Sequence, residues 1–248
     1  MYHKNQAILA FFLFFSSFLI TAAHAQQPAC AIDDRLCILE TIVQTAETID
    51  NTAWKDQTLR EVAKTYAFEG EFKKALALIT QIKTPDTQAL TIRGIGFVLA
   101  EQTKSIKEKK SMFNELRIEA EKIEHPPSYA IALTYIAMAQ ALAGDNEGAW
   151  QTAADMKNAA LKHKAYAETA EIQAEQGDYK SAKTSIEKIE NIAFKNKAYG
   201  IVSKILANKD LFTEAYKAAK QITNPYKKAQ SLQYILDQHK PRDTIKEQ

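Results

Sequence analysis

The sequence predicts an all-α chain: about twelve helices stacked as antiparallel pairs into a curved solenoid with a 33-residue unit. Three observations predict it. Apolar markers recur at fixed spacing: Ile49, Ile82, Ile123, Met156, Ile189 and Ile222 are separated by 33, 41, 33, 33 and 33 residues, the odd interval being one unit plus eight. Glycine is scarce, seven in 248 residues, where about 7% is ordinary. Sheets joined by tight turns, and loops that cradle phosphate, need more positions tolerant of positive φ. Finally, apolar side chains recur three and four apart, as in Val62 with Tyr66 and Ile201 with Ile205, the spacing of an amphipathic helix. A helix pair cannot bury such a face alone, so pairs stack.

Taken in chain order, residues 1–25 stand apart from the fold. Lys4 precedes an apolar run from Ala7 to Thr21, and Ala23-His24-Ala25 supplies small residues around a cleavage point. That is the pattern of a secretory signal peptide. The run is about 15 residues, short of the ~20 needed to span a bilayer as an uncleaved anchor. Gln27-Pro28-Ala29-Cys30 lacks the leucine of a lipidated cysteine. The expected product begins at Gln26, is periplasmic or secreted, and holds no transmembrane segment. Removing residues 1–25 takes one lysine and no acid, leaving 31 basic and 30 acidic residues. That near-neutral balance gives no electrostatic case for nucleic acid. Cys30 and Cys37 are expected to form a local disulfide in an oxidising compartment. The alternative, a redox pair, has the wrong spacing for Cys-x-x-Cys.

A single domain is expected over residues 26–248. Its helices are expected at about 34–49, 52–68, 71–83, 86–102, 105–124, 127–143, 146–158, 160–176, 179–190, 193–208, 211–222 and 225–239, within the few residues that such boundaries allow. The repeated isoleucines are placed at the close of each second helix. Gly70, Gly144, Gly177 and Asp210 fall where a first helix must stop and the backbone must turn; glycine, and next best aspartate, accepts the left-handed conformation there. Ala75, Ala149, Ala182 and Ala215, and the series Ala132, Ala165 and Ala198, mark close helix approach. Asp86 and Asn224-Pro225 read as helix starts. Gly94 and Gly96 lie inside a helical pattern and read as close packing or a bend. The extra eight residues fall near Thr103 to Lys110. They either lengthen the next helix by two turns or project as a basic bulge carrying Lys104, Lys107, Lys109 and Lys110, a contact for anionic lipid or a partner.

Gly177-Asp178-Tyr179-x-x-Ala182 and Gly70-Glu71-Phe72-x-x-Ala75, with Tyr66 four residues before its glycine, resemble the centre of a tetratricopeptide repeat. The resemblance covers nearly all of the sequence after residue 25. It departs from that family in its period of 33 and in Ala63, Ala137 and Ala170 where the family carries glycine. The resemblance implies a right-handed superhelix whose first helices line a concave, peptide-binding groove. Matching the turn residues places Gln57, Arg60, Lys64, Arg93, Phe97, Thr134, Met138, Lys164, Glu171, Lys197 and Lys204 on that groove. Six of these are basic and one is acidic, which would favour an acidic peptide or the C-terminus of a protein.

No motif for catalysis, metal or cofactor is legible. His125, His163 and His239 are scattered, no His-x-x-x-His or Gly-x-Ser-x-Gly occurs, and carboxylate pairs such as Glu168 with Glu171 read as surface charge. The expectation is a protein-interaction scaffold, neither an enzyme nor a cofactor protein. The alternatives are an accessory or enzymatic helical domain in cell-wall processing and a structural part of an envelope assembly.

Overall fold

The computed structural model describes residues 30–239, and every regular element in that span is a helix. Residues 1–25, expected to be a signal peptide, lie outside the described residues. Twelve helices follow in order: α1 (Arg35–Glu47), α2 (Thr52–Phe68), α3 (Phe72–Ile79), α4 (Pro85–Glu101), α5 (Ile106–Glu121), α6 (Pro126–Leu142), α7 (Asn146–Ala154), α8 (Ala159–Glu175), α9 (Tyr179–Glu187), α10 (Ile192–Asn208), α11 (Phe212–Lys220) and α12 (Pro225–Gln238).

Local chemistry fixes where these helices begin and end. Asn51, Asn158, Asn191 and Asn224 each cap an even-numbered helix, the side-chain oxygen accepting from a backbone N–H in the first turn. Pro85, Pro126 and Pro225 open α4, α6 and α12, where proline has no N–H to leave unpaired. Asp86 is not a cap. The cap position is Thr84, and the Asp86 carboxylate sits inside the first turn of α4 and accepts from Ser128. Gly70, Gly144 and Gly177 take φ of 85°, 82° and 80°, and Asp210 takes 59°. All four sit at the turn from a long helix to a short one.

The short helices stop earlier than the repeat suggests. Ile82, Met156, Ile189 and Ile222 lie beyond α3, α7, α9 and α11, as Ile123 lies beyond α5. Their N–H groups bond three or four residues back, Ile189 to Ile186 at 3.0 Å and Ile222 to Ala219 at 3.1 Å. This tightened last turn swings the apolar side chain inward, and all five are buried. The eight extra residues become helix: α5 has 16 residues against 8 or 9 for α3, α7, α9 and α11. Ser105 and Glu108 form a capping box at its start. Lys109 Nζ donates to Ala100 O at 2.6 Å, satisfying a carbonyl at the end of α4.

Each even-numbered helix from α2 to α12 packs on its even neighbours, while the odd-numbered ones touch one another far less. Every odd helix after α1 packs on the even helix before it, and the turns of three or four residues between them reverse the backbone. The pairs α2–α3 to α10–α11 follow one another, with α1 packed on α2 at one end and α12 on α10 and α11 at the other.

Alanine makes the close approach possible. Ala75, Ala149, Ala182 and Ala215, and Ala63, Ala137 and Ala170, are all fully buried. Gly96 belongs to the same packing, since a Cβ there would stand 3.2 Å from the Ala139 methyl. One polar bridge repeats at the 33-residue interval: Thr152 Oγ1 donates to Gln140 at 2.7 Å and Ser185 Oγ to Gln173 at 2.6 Å. Each ties a short helix to its long partner with both groups satisfied. Arg35–Glu69, Lys74–Glu40 and Arg117–Asp155 pair across successive units at the surface, each worth up to about 1 kcal/mol. Cys30 and Cys37 are disulfide-bonded, with Cα atoms 5.6 Å apart. The bridge joins the described N-terminus to the first turn of α1.

Candidate functional site

The even-numbered helices carry the residues expected to line a groove, and these fall into two groups. The first spans α2, α4 and α6. The Lys64 stem packs beside Gly94, its Cβ 3.6 Å from where a Cβ at Gly94 would stand. The Arg93 guanidinium lies 5.3 Å from the Phe97 ring centre and 5.5 Å from that of Tyr135. A guanidinium held between aromatic faces keeps its charge and its donors while losing rotamer freedom. Tyr135 escaped the sequence reading because it follows the groove position Thr134 by one residue. Thr134 itself is 3% exposed and donates to Ala130 O, so it belongs to the helix interior and not to the groove. Arg60 pairs with its neighbour Glu61 at 2.7 Å. Gln57 lines a different cleft, between α1 and α2, beside Trp54 and Leu39.

The second group spans α8, α10 and α12. Lys197 and Lys204 line a 200 Å³ cleft with Gly200, Gln230 and Lys227. No carboxylate among the described residues lines it, while three lysines do. Lys204 also lies 5.2 Å from the Tyr234 ring centre, and the Tyr234 hydroxyl donates to Asn208 at 2.7 Å. Lys227 was not found from sequence, because α12 lacks the turn residue that sets the frame in the other units. Lys164 approaches Glu168 at 3.6 Å. Burial holds the Glu171 carboxyl above the usual carboxylate range; neighbouring Glu168 adds to this and Lys197 opposes it. Between the two groups, α6 carries no charged residue at all, and its Met138 is half-buried. The basic excess read from sequence is therefore uneven. Arg60 and Lys164 have carboxylate partners, while Lys64 with Arg93, and Lys197 with Lys204 and Lys227, form the two cationic ends.

One constellation has the residue types of a hydrolase. His125 Nδ1 lies 2.7 Å from Ser128 Oγ, which in turn donates to Asp86. The order is wrong for nucleophilic catalysis. A carboxylate only accepts, so Ser128 gives its proton to Asp86 and His125 Nδ1 must donate to Ser128. A catalytic histidine instead stands between the other two and takes the serine proton. The trio ties the start of α4 to the start of α6. Among the described residues, no three His, Cys, Asp or Glu side chains converge as a metal site. No described helix is long and apolar enough to cross a membrane.

The described residues form an all-helical protein of twelve helices whose even-numbered helices pack on one another in order. No family model matches the sequence. No curated protein matches it either. Among solved structures, the crystal structure of Ton1535 from Thermococcus onnurineus NA1 is similar over 79% of this chain and 94% of that one, at 12% identity and a TM-score of 0.29. Similarity that low says nothing about shared activity.

Proposed function

We propose that this protein is an interaction scaffold of the periplasm or the secreted fraction, built as a right-handed tetratricopeptide-like solenoid. Its even-numbered helices form the concave layer and bind an extended acidic peptide or the C-terminus of a protein. The observation that carries this reading is the placement of cationic groups along one layer: Lys64 and Arg93 at one end, Lys197, Lys204 and Lys227 at the other. Closer packing among even-numbered helices than among odd-numbered ones supports a concave even-numbered face. The uncharged surface of α6 between the ends suits the apolar side chains of a bound segment, and charge at the ends fixes its register. A surface built on packed helices needs little reordering on binding, so little of the interaction energy is lost. On this reading the protein is a binder and not an enzyme.

The test uses residues 26–248 and an eight-residue glutamate-rich peptide with a free C-terminus, followed by fluorescence anisotropy. Replacing Lys197, Lys204 and Lys227 by glutamine is expected to weaken binding by about tenfold or more, at about 1.4 kcal/mol per decade. It should also flatten the salt dependence of binding. Unchanged affinity contradicts the reading.

A further inference from the structure

The repeat itself contains a worked example of carboxylate binding, and one unit has the same cradle with the carboxylate missing. In the first pair, the Asp56 side chain on α2 is 1% exposed. Its two oxygens accept from the backbone N–H groups of Lys83 at 3.0 Å and Thr84 at 2.8 Å. Those residues form the turn that follows Ile82 and leads into α4. In the last pair, Asn196 holds the same place on α10, and its oxygen accepts from Thr223 N–H at 2.8 Å, in the turn that follows Ile222. Both side chains stand fourteen residues before the turn residue of their unit, Gly70 and Asp210.

On α6 that position is Ala130, fourteen residues before Gly144. The matching turn is Lys157-Asn158, which follows Met156. Its backbone is set as in the first pair: Thr84 has φ −83° and ψ 117°, Asn158 has φ −80° and ψ 114°. Among the described residues, neither Lys157 N–H nor Asn158 N–H donates to a protein acceptor. Beside this turn there is a cavity of 480 Å³ between α6 and α8. Ala130, Lys157 and Asn158 line it, and Tyr129, Leu133, Met156 and Leu161 make its apolar wall. The other units close this place differently. His163 occupies it on α8, packed against Phe194 with ring centres 5.9 Å apart, and Ala89 on α4 is covered to 1% exposure.

We infer that the α6–α8 cavity is a binding site for a monocarboxylate carried on an apolar body, the carboxylate accepting from Lys157 and Asn158 N–H as Asp56 does from Lys83 and Thr84. The volume lies within the roughly 300–1,000 Å³ of small-ligand pockets, which pair a mostly apolar lining with a few placed polar groups. Two backbone N–H donors with no protein acceptor, on residues that line a largely apolar cavity, favour an anion, because a charged acceptor makes the stronger hydrogen bond. The charges nearby fit a single anionic group. Asp155, on the lining, is engaged by Arg117 at 2.6 Å and by Gln151 at 2.8 Å, and Lys157 contributes a cation at the rim. Glu124 at the same rim disfavours a second carboxylate. This site lies at the N-terminal ends of α6 and α8 and does not depend on the peptide reading of the even-numbered layer.

The experiment follows the backbone amide resonances of Lys157 and Asn158 in residues 26–248 during titration with 3-phenylpropanoate, its neutral amide and N-acetylphenylalanine. The site predicts saturable downfield movement of both amides with the acids, and binding at least about tenfold weaker for the neutral amide, the scale of a lost charge-assisted bond. Tighter binding of N-acetylphenylalanine assigns the site to a polypeptide terminus; tighter binding of 3-phenylpropanoate assigns it to a free acid. Ala130→Asp supplies the carboxylate internally, so it should abolish acid binding and raise the thermal midpoint. Equal binding of acid and neutral amide to the wild-type protein overturns the inference, as does the absence of any saturable movement at these two amides. Acid binding that survives Ala130→Asp also overturns it.

Discussion

Glu171 shows how one residue's surroundings set its pH behaviour. Its carboxyl is pushed up by burial first and by Glu168 second. A carboxyl with a folded pKa above the unfolded one favours the fold while protonated, and that contribution is lost as pH rises through the folded value. Glu171→Gln keeps the neutral form at every pH. It is therefore expected to raise the thermal midpoint near neutral pH and to leave it unchanged in acid, below the unfolded carboxylate range. Midpoints measured across that range check this; a pH-independent difference contradicts it. Backbone strain sits at Asp210, which holds φ 59° where Gly70, Gly144 and Gly177 stand in the other units. Asp210→Gly should stabilise by up to about 1 kcal/mol, and Gly144→Ala, at φ 82°, should cost about 1–2 kcal/mol. Denaturant melts read both. These turn residues were legible in the sequence because conformational need and residue type coincide there. Tyr135, Lys227 and the Asp56 cradle were not, since each depends on a neighbour in another unit.

At the scale of the helix, starts were more legible than stops. Asparagine caps and first-turn prolines advertise the long helices, whose expected and observed bounds differ by one residue or none. The short helices carry no comparable stop signal. They end because Ile82, Met156, Ile189 and Ile222 must turn into the core, a packing requirement that hydrophobic spacing alone reads as more helix. The inserted residues stay helical because Ser105 and Glu108 cap them and Lys109 closes α4. Ser105→Ala is expected to destabilise by about 1 kcal/mol, read as a lower denaturant midpoint. The bridge from Cys30 to Cys37 restrains α1. Replacing both cysteines by serine should cost up to about 2–3 kcal/mol. It should also speed amide exchange in α1 ahead of α4 to α10; uniform exchange along the molecule contradicts a local role.

Across the even-numbered helices, Lys64 and Arg93 stand toward one end, Lys197, Lys204 and Lys227 toward the other, and α6 between them carries no charged residue. Fold class and helix count follow from the 33-residue spacing, because stacking forces the same side chain to the same place in each unit. The charge pattern on the layer follows less directly. Sequence alone counts Arg60 and Lys164 with the rest, whereas Glu61 and Glu168 neutralise them. The most direct test of the scaffold reading is amide shift mapping of residues 26–248 with the glutamate-rich peptide. The account predicts perturbations on the even-numbered helices, centred on Lys64, Arg93, Lys197, Lys204 and Lys227, with the odd-numbered helices silent. Perturbations confined to α3, α5, α7, α9 and α11, or none at saturating peptide, would contradict it.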